Sequence, residues 1–239
     1  MAFVTLSNSG KFNAMSRPMW RQLQSVFEDL QQREDLRVVV VQGAGGHFCA
    51  GGDISEYAAF RFEAASLREF HEDDVWPGLA AMLACDIPLV ASIQGNCMGA
   101  GVEIASCCDL RLAGREARFG APIARLGFPM APREAALVAR AAGDLTTREM
   151  LLSAAVLDAA TMYQRGFLNR VHEDLDLVSE TRSLAQSVAR LAPQAARLNK
   201  QVLRMLPAAP DTSNAYDYAD SHEHREGVAA FIEKRSPRF

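Results

Sequence analysis

The sequence predicts an α/β protein in which strands alternate with helices over about the first 130 residues, and helices dominate the rest. Two glycine-rich stretches, at 38–54 and 87–109, are the basis of this prediction, and each includes the end of an apolar run. Each has the pattern of a buried strand, a tight glycine turn and the start of a helix. A length of 239 residues, with 49% hydrophobic and 23% charged, fits one such domain or a domain with a small helical appendage.

The first elements follow from local signals. Residues 3–7 have the composition of a short strand, and Ser16 can cap a helix that tolerates Pro18 in its first turn. Apolar side chains then recur at helical spacing: Met19, Leu23, Val26, Phe27 and Leu30. Residues 37–42 include four consecutive valines, which is typical of an interior parallel strand buried on both faces.

The middle of the chain continues the alternation. We expect a helix over 60–84, a strand ending at Ile93, a helix over about 99–107 and a strand at 110–113. The segment 117–128 has the composition of a loop with extended pieces.

Beyond Pro132 the pattern becomes helical. We predict helices over 133–142, 146–154 and 159–165, the last ended by Gly166, and a short strand at 168–171. Two helices separated by Pro193 follow over 177–206, and a last helix spans about 217–235. A division near 170–176 separates a core, 1–172, from a C-terminal helical region, 173–239, which we interpret as an appendage of the core.

Composition excludes several classes of function. The net charge of −4 comes without a basic stripe, which argues against nucleic-acid binding. No apolar run is long enough to span a membrane, and the N-terminus lacks the pattern of a signal peptide. Five cysteines without a CxxC pair indicate buried thiols in a cytoplasmic protein, and the histidines lack the spacing of a metal site.

The two glycine-rich loops fit few known kinds of site. A dinucleotide fingerprint needs a third glycine where the first loop has Phe48, and the second loop fails at Cys97. A phosphate-binding loop is excluded because the required GK[ST] is missing. A serine hydrolase is not supported, because the sequence has no G-x-S-x-G motif. Two helix starts that converge could instead bind a developing oxyanion with unpaired N–H groups. Ala100 and Glu103 are i,i+3, so a carboxylate would share that face of the second helix.

Four segments together resemble the crotonase, or enoyl-CoA hydratase/isomerase, superfamily. HFCAGGDI at 47–54 resembles its first oxyanion loop, and GNCMGAGVEIASCCDLRLA at 95–113 its second loop and catalytic helix. ARFGAPIARLGF at 117–128 and EGVAAFIEKRSPRF at 226–239 resemble later family segments. The match covers most of the chain.

The resemblance implies a spiral of repeated ββα turns with a helical C-terminal trimerisation region, hence a homotrimer or hexamer. It implies an acyl-CoA thioester as substrate, with coenzyme A as part of that substrate and no other cofactor or metal. By motif position, the N–H groups of Gly52 and Ala100 would form the oxyanion hole, and Glu103 would be the general acid/base.

The chain departs from the family at a second acid. The family pattern F-G-x-P-E ends here in Ile123, which cannot carry a proton, so hydration by two glutamates and isomerisation through that position are both in doubt. Arg133 and Glu134 lie about where the family has a glycine-rich segment. Glu134 could replace the missing acid, or Arg133 could bind a substrate carboxylate, as in decarboxylation of a malonyl-type thioester.

Further residues are expected around the substrate. These substrate-binding candidates are Ala50, Asp53, Ile54, Met98, Ile123 and Lys234. Of these, Asp53 is expected chiefly to cap a helix, and Lys234 to meet a CoA phosphate of its own or a neighbouring subunit. Hydration/dehydration or isomerisation is the primary reaction, with decarboxylation as an alternative. A rival of another class is a CoA-thioester-binding protein with little catalysis.

Overall fold

A five-stranded parallel sheet forms the centre of the protein, for which a computed structural model describes residues 1–205 and 221–238. Its strand order is β1 (Ala2–Leu6), β2 (Val39–Gly43), β3 (Leu89–Ile93), β5 (Leu110–Gly114) and β8 (Arg170–His172). A second sheet contains β4 (Asn96–Met98), β6 (Arg118–Gly120) and β7 (Val156–Asp158), with only the β6–β7 pair antiparallel. The predicted α/β class is therefore confirmed.

Helices cover both faces of the central sheet. The helices that the structure describes are α1 (Arg17–Gln31), α2 (Ala64–Glu69), α3 (Trp76–Ala84), α4 (Ala100–Ser106), α5 (Pro132–Ala142), α6 (Asp144–Leu152), α7 (Ala159–Gln164), α8 (Leu177–Ala189), α9 (Pro193–Met205) and α10 (His222–Ile232). Two 3₁₀ turns, Ile54–Ala59 and Pro122–Leu126, and a π-helical turn, Phe70–Val75, complete the described secondary structure.

The valine run explains how the sheet is buried on both sides. Val38 and Val40 pack in a small cluster with Leu177 of α8, whereas Val39 and Val41 face the main core. All four valines are fully buried. Because successive side chains of a strand point to opposite faces, one run supplies both layers, as predicted for an interior parallel strand.

The helical segment predicted over 60–84 is correct in kind but is not one regular helix. It consists of α2, the π-helical turn and α3. The buried carboxylate of Asp74 in the π turn pairs with Arg17 and Arg21 of α1, which fixes this turn against α1. π turns occur frequently at functional sites, and His71 lies in this one.

Other differences are short elements. The strands β4 and β7 were not predicted, because three residues are too few to give a periodic pattern. Ser16 caps α1 as expected, since its hydroxyl accepts a hydrogen bond from the Met19 N–H. The two helices on either side of Pro193 are confirmed up to residue 205. Residues 217–220 of the predicted last helix lie outside the described residues.

The predicted boundary near 170–176 falls in the connection between β8 and α8. Helix α8 nevertheless packs on the central sheet, where Leu177 and Ala185 cover Val90 and Leu112. The first C-terminal helix therefore forms one layer of the core. All five cysteines are buried free thiols. Within 1–205 and 221–238, no helix has the length and apolar character needed to cross a membrane.

Candidate active site

The two glycine-rich loops lie side by side and are joined by backbone hydrogen bonds. The Cys49 N–H donates to the Asn96 carbonyl at 2.9 Å, and the Met98 N–H donates to the Cys49 carbonyl at 2.8 Å. His47 Nδ1 accepts from the Asn96 N–H at 3.1 Å, so this half-buried imidazole fastens one loop to the other. The loops therefore converge, as the sequence predicted.

Close backbone packing explains why glycines recur here. Gly51 and Gly99 have φ values of +112° and +46°, which residues with a Cβ rarely adopt. A Cβ on Gly101 would lie 2.7 Å from the Cys49 carbonyl oxygen. The first turn of α4 can therefore approach the first loop only because position 101 lacks a side chain.

Two backbone amides at the meeting point have no acceptor. Gly52 and Ala100 both line one cavity, which encloses about 230 Å³. In the described residues, neither the Gly52 N–H nor the Ala100 N–H donates a hydrogen bond, although their neighbours Asp53 and Gly99 do. Ala100 is the first residue of α4, where an N–H has no partner within the helix. The cavity therefore offers two donors to a ligand oxygen.

Among the described residues, Glu103 is the one Asp or Glu that lines the same cavity. It is 9% exposed. Burial, and secondarily the charge of Glu134, raise the pKa of Glu103 from 4.5 to about 8. A carboxyl group with this pKa is mostly protonated at neutral pH and can donate its proton.

Glu134 does not line the cavity itself but contacts a histidine that does. Its side chain lies at the start of α5 and is buried, with the residue only 2% exposed. Glu134 Oε1 lies 3.1 Å from Nδ1 of His71, and His71 lines the same cavity as Glu103. When Nδ1–H donates to the carboxylate, Nε2 is left as an acceptor. The imidazole is thus a second group that could carry a proton.

Several predicted substrate-binding residues form the apolar wall. Ala50, Ile54, Met98 and Ile123 all line the cavity. Ile123 lies in the 3₁₀ turn Pro122–Leu126, so an aliphatic side chain occupies the wall where the family pattern has a glutamate.

Two predicted positions lie away from this wall. Arg133 forms an ion pair with Glu72 at 3.0 Å and lies over the ring of Trp76, so the hypothesis that it enters the acyl pocket is wrong. Asp53 is also absent from the wall. It caps the 3₁₀ turn by accepting from the Ser55 N–H and pairs with Lys11.

Lys234 follows α10 and is exposed, and it does not line the cavity of its own chain. Its predicted contact with a CoA phosphate of a neighbouring subunit stays a prediction.

The sequence did not single out the polar residues that complete the wall. These are Tyr57, Arg61 and His71, which come from the 3₁₀ turn, the residues after it and the π turn. A lone histidine or arginine in a helical segment has no distinctive spacing, so only the adjacent FHEDDV acidic run could have drawn attention to His71. Among the residues that the structure describes, no group of three His, Cys, Asp or Glu could hold a metal ion.

Comparison with known proteins gives consistent results. A sequence profile of the enoyl-CoA hydratase/isomerase family matches residues 1–239. The 2,3-dehydroadipyl-CoA hydratase of Escherichia coli is 31% identical over 99% of this chain and 93% of its own length. A crystal structure of an enoyl-CoA hydratase/carnithine racemase from Magnetospirillum magneticum is 34% identical, with a TM-score of 0.95 over 99% of this chain and 91% of that one. An enoyl-CoA hydratase structure from Mycobacterium smegmatis is 26% identical, with a TM-score of 0.90 over 99% and 93% of the two chains.

Proposed function

Because the chain belongs to the enoyl-CoA hydratase/isomerase family, we propose that it adds water to, or shifts, the double bond of an acyl-CoA thioester through an enolate. The observation that carries this proposal is the pair of unpartnered amides, Gly52 and Ala100, beside Glu103 in one cavity. Two N–H donors aimed at the carbonyl oxygen stabilise the charge that develops on it, and one such donor typically contributes about 3 kcal/mol.

Glu103 supplies the proton in this mechanism. During hydration, a water oxygen bonds to Cβ and the electron pair of the double bond moves to give an enolate held by the two amides. Protonated Glu103 then transfers its proton to Cα and becomes a carboxylate. The raised pKa of Glu103 supports this assignment, because the acid is already protonated when substrate binds.

His71 accepts the proton that the water loses. Its hydrogen bond to Glu134 orients the ring and stabilises the imidazolium that forms. The imidazolium then returns a proton to the Glu103 carboxylate through solvent, which restores both groups. In this assignment His71 is the second catalytic residue, in place of the glutamate absent at Ile123, and Glu134 is its positioning residue. The chemistry requires only the substrate, water and these side chains.

Two alternatives have less support. Decarboxylation of a malonyl-type thioester loses its original basis, since Arg133 is engaged by Glu72 outside the cavity. A CoA-thioester-binding protein with little catalysis would share the amide pair and the apolar wall but would not need His71 or Glu103.

We also propose a homotrimer or hexamer and a cytoplasmic location. Leu145 and Leu152 of α6 are 80% and 77% exposed, which supports a contact with another subunit. Lys234 would then meet a CoA phosphate bound to the neighbouring subunit. Five unpaired thiols support a reducing compartment. Sedimentation of the purified chain tests the assembly, because a monomer would rule it out.

The decisive experiment measures the hydration of crotonyl-CoA by the parent protein and by the variant Glu103→Gln. We expect the parent to form 3-hydroxybutyryl-CoA. The variant should be slower by about 100-fold or more, because glutamine keeps the shape of the glutamate side chain but cannot transfer the proton. Binding without turnover in both proteins would favour the non-catalytic rival. Turnover that is equal in both would remove Glu103 from the mechanism.

A further inference from the structure

A positively charged side chain is built into the wall of the cavity. Arg61 follows the 3₁₀ turn Ile54–Ala59 and lines the same cavity as Gly52 and Glu103. Its guanidinium carbon lies 3.7 Å from the ring centroid of Phe128 and 4.3 Å from that of Tyr57. Two aromatic rings thus hold the guanidinium group in place by cation–π contacts.

In the described part of the chain, no carboxylate is paired with the charge of Arg61. No Asp or Glu of residues 1–205 and 221–238 forms a salt bridge with it, and Nε is buried without a hydrogen-bond partner. A guanidinium group keeps its charge, and a buried charged donor without an acceptor is costly. A ligand with an anionic oxygen would satisfy it, and a guanidinium group can bind a carboxylate with two parallel hydrogen bonds.

Tyr57 connects this cation to the reacting end of the cavity. Its ring faces Arg61, while its hydroxyl oxygen lies so close to Gly52 that a Cβ on this glycine would collide with it. A single tyrosine ring therefore separates the guanidinium group from the amide proposed to bind the thioester carbonyl. The phosphates of coenzyme A are separated from that carbonyl by the whole pantetheine arm, so the acyl group is the part of the substrate that can bring an anion here.

We propose that Arg61 binds a carboxylate on the acyl group, so that the preferred substrates are CoA thioesters of dicarboxylic acids. This proposal rests on the proposed function, since it places the thioester carbonyl at Gly52 and Ala100. It assigns to Arg61 the recognition of a substrate carboxylate that the sequence suggested for Arg133. The carboxylate is bound and is not cleaved from the acyl group, and the reaction still takes place beside Glu103.

Binding of inert saturated thioesters tests the proposal without turnover. The probes are matched pairs that differ only in a terminal carboxylate: succinyl-CoA with butyryl-CoA, glutaryl-CoA with pentanoyl-CoA, and adipyl-CoA with hexanoyl-CoA. We expect the parent protein to bind the charged member more tightly in at least one pair. Arg61→Met, which keeps an apolar side chain between the two rings, should weaken binding of that charged member by about 10- to 100-fold. The uncharged member should change less than about threefold.

The controls separate the possible sources of the anion. Arg61→Lys should keep part of the preference, because the charge remains while the two-pronged geometry is lost. Equal weakening of both members, and of free coenzyme A, would mean that Arg61 serves the phosphates or the fold, and would overturn the proposal. Equal binding of both members to the parent protein in all pairs would also overturn it. Absence of hydration would instead count against the proposed function, because these binding measurements do not depend on it.

Discussion

Glu134 Oε1 and His71 Nδ1 lie 3.1 Å apart, so a carboxylate buried at the start of α5 fixes an imidazole in the cavity wall. The family pattern would place a second carboxyl group at Ile123, and this chain has an apolar side chain there. A second group able to transfer protons is therefore present, but it comes from the π-helical turn before α3.

His71→Ala should lower the rate of crotonyl-CoA hydration by about 100-fold or more, because the proton acceptor for water is lost. Added imidazole should restore part of the rate, since it can occupy the space that the side chain leaves. Glu134→Gln should lower the hydration rate by about tenfold, as expected when a residue that orients the histidine is lost. Added imidazole should not restore the rate of this variant. His222→Ala, on α10, is the matched control. Failure of imidazole to restore His71→Ala would indicate that His71 has only a structural role.

The variant Ile123→Glu tests whether His71 takes the place of the glutamate that the family pattern has at this position. In a His71→Gln background, a carboxylate at position 123 should raise the hydration rate by about tenfold or more, because it supplies the proton acceptor at the position used by the family. Ile123→Gln in the same background is the control, with similar size and no titratable proton. If the double variant carrying Ile123→Glu is no faster than this control, the assignment is contradicted.

The stability of the protein should depend on pH through Glu103. Below about pH 4.5 this carboxyl group is protonated in both the folded and unfolded chains; between 4.5 and about 8 only the unfolded chain ionises. The free energy of unfolding should therefore fall as pH rises, by at most about 1.4 kcal/mol per unit from this group. Urea unfolding at pH 5 and pH 8 measures the fall. Glu103→Gln should show a smaller loss over this range, and equal losses would contradict the raised pKa.

Asp74→Asn should loosen the turn that carries His71. The Asp74 carboxylate accepts from Arg17 Nε at 2.5 Å and from Arg21 Nε at 2.6 Å. Loss of these charged hydrogen bonds should lower the free energy of unfolding by about 2 kcal/mol and reduce the hydration rate. Asp35→Asn removes a fully exposed pair with Arg33 and should leave the unfolding midpoint unchanged. Similar midpoints for the two variants would show that the turn does not depend on Asp74.

The sequence predicted the parts of this structure that depend on local signals. Four valines in a row specify a strand buried on both faces, and the glycines at 51, 99 and 101 mark places where backbone meets backbone. These features place Gly52, Ala100 and Glu103 around one cavity. The resemblance to family motifs then indicated the type of reaction, in which two amides stabilise an oxyanion and Glu103 transfers a proton.

The remaining parts of the site depend on contacts between distant residues. His71 and Glu134 are 63 positions apart, and no spacing rule links them. The sequence suggested that either Glu134, as a replacement acid, or Arg133, as a binder of a substrate carboxylate, enters the pocket. It could not decide between them, because neighbouring helical residues point about 100° apart. Only the packing of α5 shows that Glu134 faces inward while Arg133 meets Glu72. Arg61 was missed because its position depends on two aromatic rings from separate segments.

Ala100→Pro offers a selective way to remove one of the two proposed oxyanion donors. Proline is tolerated at the first position of a helix, where its missing N–H has no helical partner, and Ala100 occupies that position in α4. The variant should lower the hydration rate by about 100-fold or more, while its unfolding midpoint stays close to that of the parent. A rate that is unchanged would exclude the Ala100 N–H from catalysis.

The carbonyl stretching frequency of a bound thioester tests the paired amides most directly. Butyryl-CoA labelled with ¹³C at the carbonyl can be followed by isotope-edited infrared difference spectroscopy in the parent protein and in Ala100→Pro. We predict that the frequency falls below its value in water when the parent binds the thioester, and that Ala100→Pro reverses most of this fall. A frequency in the parent equal to or above the value in water would contradict the account, because the carbonyl would then not be polarised by these amides.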